Sequence, residues 1–140
     1  MAVSAAVVVP VLNAERTIGE CVKSLLNQEY DGVYNLIVVD NGSSDRTLRM
    51  LEAFKKTITV LEERSRGSYR ARNKGIHHAK GSIIAFIDAD CIAGKGWLKS
   101  LVAPFSNPEV MVAGGAVRGM ESSTAVERYC GKFFLDQERM

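Results

Sequence analysis

Cysteine is scarce in this 140-residue sequence. Only Cys21, Cys91 and Cys130 occur, odd in number and widely spaced, with no Cys-x-x-Cys pair and no Cys/His grouping. That argues against a disulfide framework and against a structural zinc site, and a reduced, cytoplasmic compartment is the simplest expectation. The two histidines, His77 and His78, are neighbours. On a helix they would diverge by about a quarter turn and could not share a metal, so they are read as surface or packing residues. No window approaches the roughly 18 apolar residues of a membrane span, and no basic region precedes the first apolar stretch, which Pro10 interrupts. A net charge of +2 carries no clustered lysine and arginine stripe, so a nucleic-acid partner is not expected. Association at a membrane surface stays open.

What is present is an ordinary globular balance, 46% apolar against 24% charged, which excludes disorder and suits one domain with a real core. The most informative segment is Ile83-Ile84-Ala85-Phe86-Ile87-Asp88-Ala89-Asp90, an apolar run of strand length that ends in two carboxylates one residue apart. A buried strand cannot hide two negative charges, so they belong at its exposed carboxyl end. There they either hold a divalent cation against a phosphate or serve as turn and capping residues.

The rest of the chain alternates. Ala5 to Val9 is a short strand that Pro10 is expected to stop, since proline cannot donate to a ladder. Thr17-Ile18-Gly19-Glu20 reads as a capping box, opening a helix with Ile18, Val22, Leu25 and Leu26 on one face. Asn35 to Val39 predicts a second strand ending at Asp40, and a turn-rich Asn41 to Asp45 leads into a helix with Leu48, Leu51 and Phe54 inward. Ile58 to Leu61 predicts a third strand. A helix from about Tyr69 to Ala79 should bury Ala71, Gly75, Ile76 and Ala79, and Ser82 to Ile87 is the fourth strand. Val110 to Val117 is expected to be a fifth. Trp97, Leu98, Leu101 and Val102 share a helical face, which makes Trp97 a core anchor rather than a ligand-stacking platform. Apolar strands separated by helices predict an α/β fold, a Rossmann-like, mostly parallel sheet with helices on both faces. Ligands of such sheets bind beyond the carboxyl ends of the strands, where Pro10 to Glu15, Asp40 and Asp88 to Asp90 all fall.

Four ordered blocks carry a resemblance. Val8-Val9-Pro10-Val11-Leu12-Asn13-Ala14-Glu15, Val38-Val39-Asp40-Asn41-Gly42-Ser43-Ser44-Asp45-Arg46-Thr47, Ala71-Arg72-Asn73-Lys74-Gly75 and Phe86-Ile87-Asp88-Ala89-Asp90 resemble family 2 glycosyltransferases of the GT-A fold. The resemblance implies a nucleotide diphosphate sugar donor, inverting transfer to an acceptor that it leaves unknown, and Mg²⁺ or Mn²⁺ as cofactor. It places Pro10, Val11, Leu12, Asn13 and Glu15 at the nucleotide and Asp40 on the base. It puts Asp88 near the ribose and the hydrated metal, and Asp90 on the metal directly. Arg70 and Arg72 face the pyrophosphate or pair with acidic neighbours such as Glu62 and Glu63. Read alone, Asp40 is equally a cap of its own turn, and Pro10 and Asn13 are strand-end punctuation.

The sequence departs from the family where inversion needs a general base. The family's acidic pair lies well downstream of Asp-x-Asp; here only Glu109, Glu121, Glu127, Asp136 and Glu138 follow, none adjacent, and no catalytic residue is assigned. The expected organisation is a nucleotide-sugar-binding domain over 1–120 and an amphipathic helix over 121–140, the start of an acceptor-binding half outside this chain. Val126, Tyr129, Cys130, Phe133 and Phe134 form that helix's apolar stripe, which would pack on its own domain, join a second copy or meet a partner. The alternative is a nucleotide-sugar binding module without turnover. A phosphatase of the haloacid dehalogenase type would place its acidic loop on the first strand, and a dinucleotide dehydrogenase would need a Gly-x-Gly-x-x-Gly that the first strand lacks.

Overall fold

Alternating apolar runs and amphipathic segments fold as strand and helix in turn, and the computed structural model describes residues 3–119. Strands β1 (Ala5–Val11), β2 (Tyr34–Asp40), β3 (Thr59–Glu62) and β4 (Ile83–Phe86) pair in the order β3-β2-β1-β4, every pair parallel. Helices α1 (Ile18–Leu26), α2 (Thr47–Glu52), α3 (Ser68–His78) and α4 (Trp97–Val102) connect or follow them. The chain steps outward from β1 to β3 and then crosses back to β4, so the strand order reverses between β1 and β4. Such a reversal opens a crevice at the carboxyl ends of the two strands.

Both faces of β1 and β2 are buried, which explains why they read as continuous apolar runs. On one face Val7, Val9, Leu36 and Val38 pack with Ile18, Cys21, Val22 and Leu25 of α1, Leu51 of α2 and Leu98 of α4. On the other, Val8, Ile37 and Val39 pack with Ala71 of α3. Gly75 lets α3 lie close, since a Cβ there would collide with the Val8 side chain. Trp97 packs against the larger cluster, as a core anchor should.

Several local expectations change. Pro10 does not stop β1, which continues to Val11. Ala5 donates to Val33 and Asn41 donates to Val11, so odd residues of β1 bond toward β2. Pro10 therefore turns its missing donor toward β4, whose pairing has already ended at the Val8–Phe86 register. The helix starts at Ile18 as expected, but Thr17 makes no side-chain capping bond; the Ala14 carbonyl accepts from the Thr17 and Ile18 amides instead. Cys21 takes the inward position expected of Leu26, and both Leu26 and Ile76 are exposed. Residues 110–117 form no strand, and Met111 and Val112 are exposed: an extended segment becomes a strand only with a ladder partner, and none of the described strands pairs with it. The expected helix at 121–140, with its aromatic stripe, lies outside the described residues.

Candidate nucleotide and metal site

The loops that leave β1 and β2 are held together by side chains of the second and main chain of the first. Asn13 N–H donates to Ser43 Oγ (2.9 Å), Ala14 N–H to Thr47 Oγ1 (2.8 Å) and Glu15 N–H to Asp45 Oδ2 (3.1 Å). In return Ser44 N–H donates to Asn13 Oδ1 (2.8 Å) and Arg46 N–H to Glu15 Oε2 (3.0 Å). Asn13 adopts a left-handed backbone (φ 51°), which its short polar side chain tolerates. Two carboxyls in this clasp sit below their usual range. Glu15 is lowered first by the Arg46 backbone donor and then by its guanidinium. For Asp45 desolvation is the largest single influence and acts upward, but donors from Thr47 and Glu15 together outweigh it.

Asp40 ends β2 almost wholly buried. Its Oδ2 accepts from Gly42 N–H (3.1 Å) and Ser43 N–H (3.0 Å), so the turn cap weighed from sequence is formed. Its Oδ1 is buried without a hydrogen-bond partner. Such an atom is costly to leave unpaired and is suited to accept from a ligand donor. The next residue, Asn41, is also buried: its Nδ2 donates to the Glu63 and Ser65 carbonyls (3.0 and 2.8 Å), and its Oδ1 accepts from Gly67 N–H (2.8 Å). The loop before α3 is thereby fixed from β2.

Arg72 on α3 pairs with Asp88, Nη2 to Oδ1 at 2.7 Å, and not with Glu62 or Glu63. Lys74 occupies that acidic neighbourhood instead, bonding the Glu62 carbonyl and lying 4.0 Å from Glu63. Two residues beyond Asp88, the exposed Asp90 carboxylate has no ion-pair partner among the described residues and approaches only the Cys91 thiol (3.7 Å). Neither nearby thiol is an activated nucleophile. Burial pushes Cys21 up to about 12, and desolvation followed by the charges of Asp90 and Asp88 raises Cys91.

A cleft of about 610 Å³ opens at the β1–β4 crevice, lined by Pro10, Leu12 to Thr17, Asp45, Ala89 and Asp90. It brings together Pro10, Leu12, Asn13, Glu15 and Asp90 of the residues singled out from sequence. Val11 is buried beneath the loop, and Asp40, Arg72 and Asp88 lie outside this lining. Among the described residues no group of three or more His, Cys, Asp or Glu side chains could enclose a metal. A cation at Asp90 would therefore complete its oxygen shell from water or from a ligand's phosphates, the habit of Mg²⁺ and Mn²⁺. The donor set fits such an ion. Asn41, Asp45 and Thr47 stand in the second of the four blocks, but the sequence reading assigned them no role of their own, because partners such as Ala14, Glu15 and Glu63 lie far away in the chain.

Comparison with known proteins bears on the family and the fold. A model of glycosyl transferase family 2 matches residues 6–136. Glycosyltransferase AglE of Haloferax volcanii is 36% identical over 130 residues, covering 88% of this chain and 43% of AglE. The mannosyltransferase PcManGT of Pyrobaculum calidifontis, solved with GDP-Man and Mn²⁺, superposes with a TM-score of 0.71 at 28% identity over 84% of this chain and 35% of that one. TarS 1–349 of S. aureus, solved with UDP, gives 0.67 at 29% identity over 74% of this chain and 32% of its own. The chain spans less than half the length of each of these proteins. No helix among the described residues is long and apolar enough to cross a membrane.

Proposed function

The chain belongs to glycosyl transferase family 2, and from that membership we propose that it is the donor-binding part of a metal-dependent, inverting glycosyltransferase fed by a nucleotide diphosphate sugar. The observation that carries the proposal is the meeting of Asp90 with the Pro10–Glu15 loop in one cleft at the strand-order reversal. PcManGT, with GDP-Man and Mn²⁺, and TarS, with UDP, support this class of donor.

In this reading Pro10, Val11, Leu12, Asn13 and Glu15 shape the nucleotide site, and the unpartnered Oδ1 of Asp40 accepts an N–H of the base. Arg72, oriented by Asp88, faces the diphosphate side. The amides of Asn13, Ala14 and Glu15 are all consumed by Ser43, Thr47 and Asp45, so these three N–H groups are not free to cradle a diphosphate. Compensation of its charge then falls to Arg72 and to a cation at Asp90, with Asp88 nearby. The bound ion would supply neutralisation of the leaving diphosphate. Deprotonation of the acceptor hydroxyl is assigned to no residue of this chain.

Calorimetric titration of UDP- and GDP-sugars into the 140-residue chain, with and without Mn²⁺, tests the reading. Binding that requires Mn²⁺ is the expected result, and no binding of either nucleotide would overturn it. A labelled-sugar transfer assay then separates an enzyme from a binding module.

A further inference from the structure

The Thr47 side chain is wholly buried, yet it stands one bond from the cleft. Its Oγ1 accepts from Ala14 N–H and donates to Asp45 Oδ1, a carboxylate that also takes the Thr47 N–H (2.9 Å). With Oδ1 so occupied, Asp45 presents Oδ2 to Glu15 N–H. Two successive amides of the β1 loop are thus fixed by one hydroxyl–carboxylate pair that begins α2.

We propose that Thr47 and Asp45 act as a positioning pair for the donor site, setting the backbone of Ala14 and Glu15 so that nucleotide affinity depends on a hydroxyl no ligand can touch. The inference rests on the donor-binding reading above and adds to it a residue that acts through another. A free loop would have to be ordered at each binding event, at the expense of affinity; the pair orders it beforehand. Of the side chains in the clasp only Thr47 is wholly buried, so its hydroxyl is the part water cannot replace.

Thr47→Val keeps the shape and removes the hydroxyl, whereas Thr47→Ser keeps the hydroxyl. Amide hydrogen exchange at 13–15 and Mn²⁺-dependent titration of UDP and GDP are measured on parent and variants below their unfolding temperatures. Thr47→Val should exchange faster at 14 and 15 and bind about tenfold more weakly, a loss on the scale of one hydrogen bond, with Thr47→Ser restoring both. Faster exchange with unchanged affinity would make the pair a structural tie only and overturn the proposal, as would unchanged exchange. If Thr47→Val does not fold, Asp45→Asn puts an amide donor against the Glu15 N–H and is read by the same criteria. A parent that binds neither nucleotide refutes the donor-binding reading and this inference with it, whereas loss confined to the variants leaves that reading intact.

Discussion

The Arg72 guanidinium lies 2.7 Å from the Asp88 carboxylate and ties α3 to the chain leaving β4, while Asp90, two residues on, keeps its carboxylate without an ion-pair partner among the described residues. The two acids of Asp-x-Asp are therefore unequal. One is already compensated and acts on Arg72; the other is available to a cation. Asp90→Ala should abolish the metal-dependent part of nucleotide binding, a loss on the order of 2 kcal/mol, because the diphosphate charge is left without its cation. Asp88→Asn should weaken binding with the Mn²⁺ requirement intact. Titration of both variants with and without Mn²⁺ checks the division, and the reverse pattern would exchange the two assignments.

Asp40 offers a test in which shape is conserved. Asp40→Asn can keep one oxygen on the Gly42 and Ser43 amides, but it replaces the buried, unpartnered Oδ1 with an NH₂ donor. A base N–H would then meet a donor instead of an acceptor, at a loss of about 1–3 kcal/mol in nucleotide affinity. Urea unfolding should move little by comparison. Equal affinity of parent and variant for both UDP and GDP would leave Asp40 as a turn cap alone.

The pH dependence of the loop clasp has a definite sign. Glu15 and Asp45 are lowered from ordinary values of 4.5 and 3.8, so their contribution is fully present above those values and is lost as pH falls through the lowered folded values. Hydrogen-exchange protection at 13–15, taken relative to the intrinsic amide rate at each pH, should fall on acidification below the ordinary carboxylate range before the sheet amides of β1 lose theirs. Simultaneous loss of both would mean that the clasp has no stability of its own.

Gly75→Ala tests the approach of α3 to the sheet. The added methyl would drive into the Val8 side chain, in a layer where β1 is buried on both faces. Overpacking of this kind costs about 1–3 kcal/mol, which chemical denaturation would read as a lowered midpoint with an unchanged slope. An unshifted midpoint would show that α3 can retreat without loss.

The sheet was legible because burial on both faces writes itself as unbroken apolar runs: β1 and β2 were placed to within two residues, and helix α1 to its first residue. What failed was local chemistry that depends on a distant partner. The Thr17 capping box has the right letters, but the Ala14 carbonyl takes the role. Segment 110–117 has strand composition, and composition does not supply a ladder. The candidate site was legible as a set of carboxylates near strand ends, since buried strands can place charge nowhere else. The clasp between the 13–15 and 43–47 loops was not, because hydrogen bonds across thirty residues leave no period in a sequence.

Asn41 shows how much a residue read only as part of a turn can hold. Its amide donates twice, to the Glu63 and Ser65 carbonyls, and accepts once from Gly67 N–H, fixing both ends of the loop that carries Arg64 and Arg66 into α3. Asn41→Ala removes all three contacts at a buried position, so it should lower stability by about 1–3 kcal/mol and release that loop. Asn41→Asp should be worse: it keeps the acceptor for Gly67 but turns a carboxylate oxygen toward two carbonyls. Limited trypsin digestion reads the release directly, because Arg64 and Arg66 are exposed and cleavage after them requires the loop to leave its hydrogen bonds. Cleavage at these sites should quicken in the order parent, Asn41→Ala, Asn41→Asp, with nucleotide affinity falling in the same order as Arg72 loses the start of its helix. Faster cleavage with unaltered affinity would separate the loop from the site, and an unchanged digestion pattern would mean that the main-chain bonds of α3 hold the loop without Asn41.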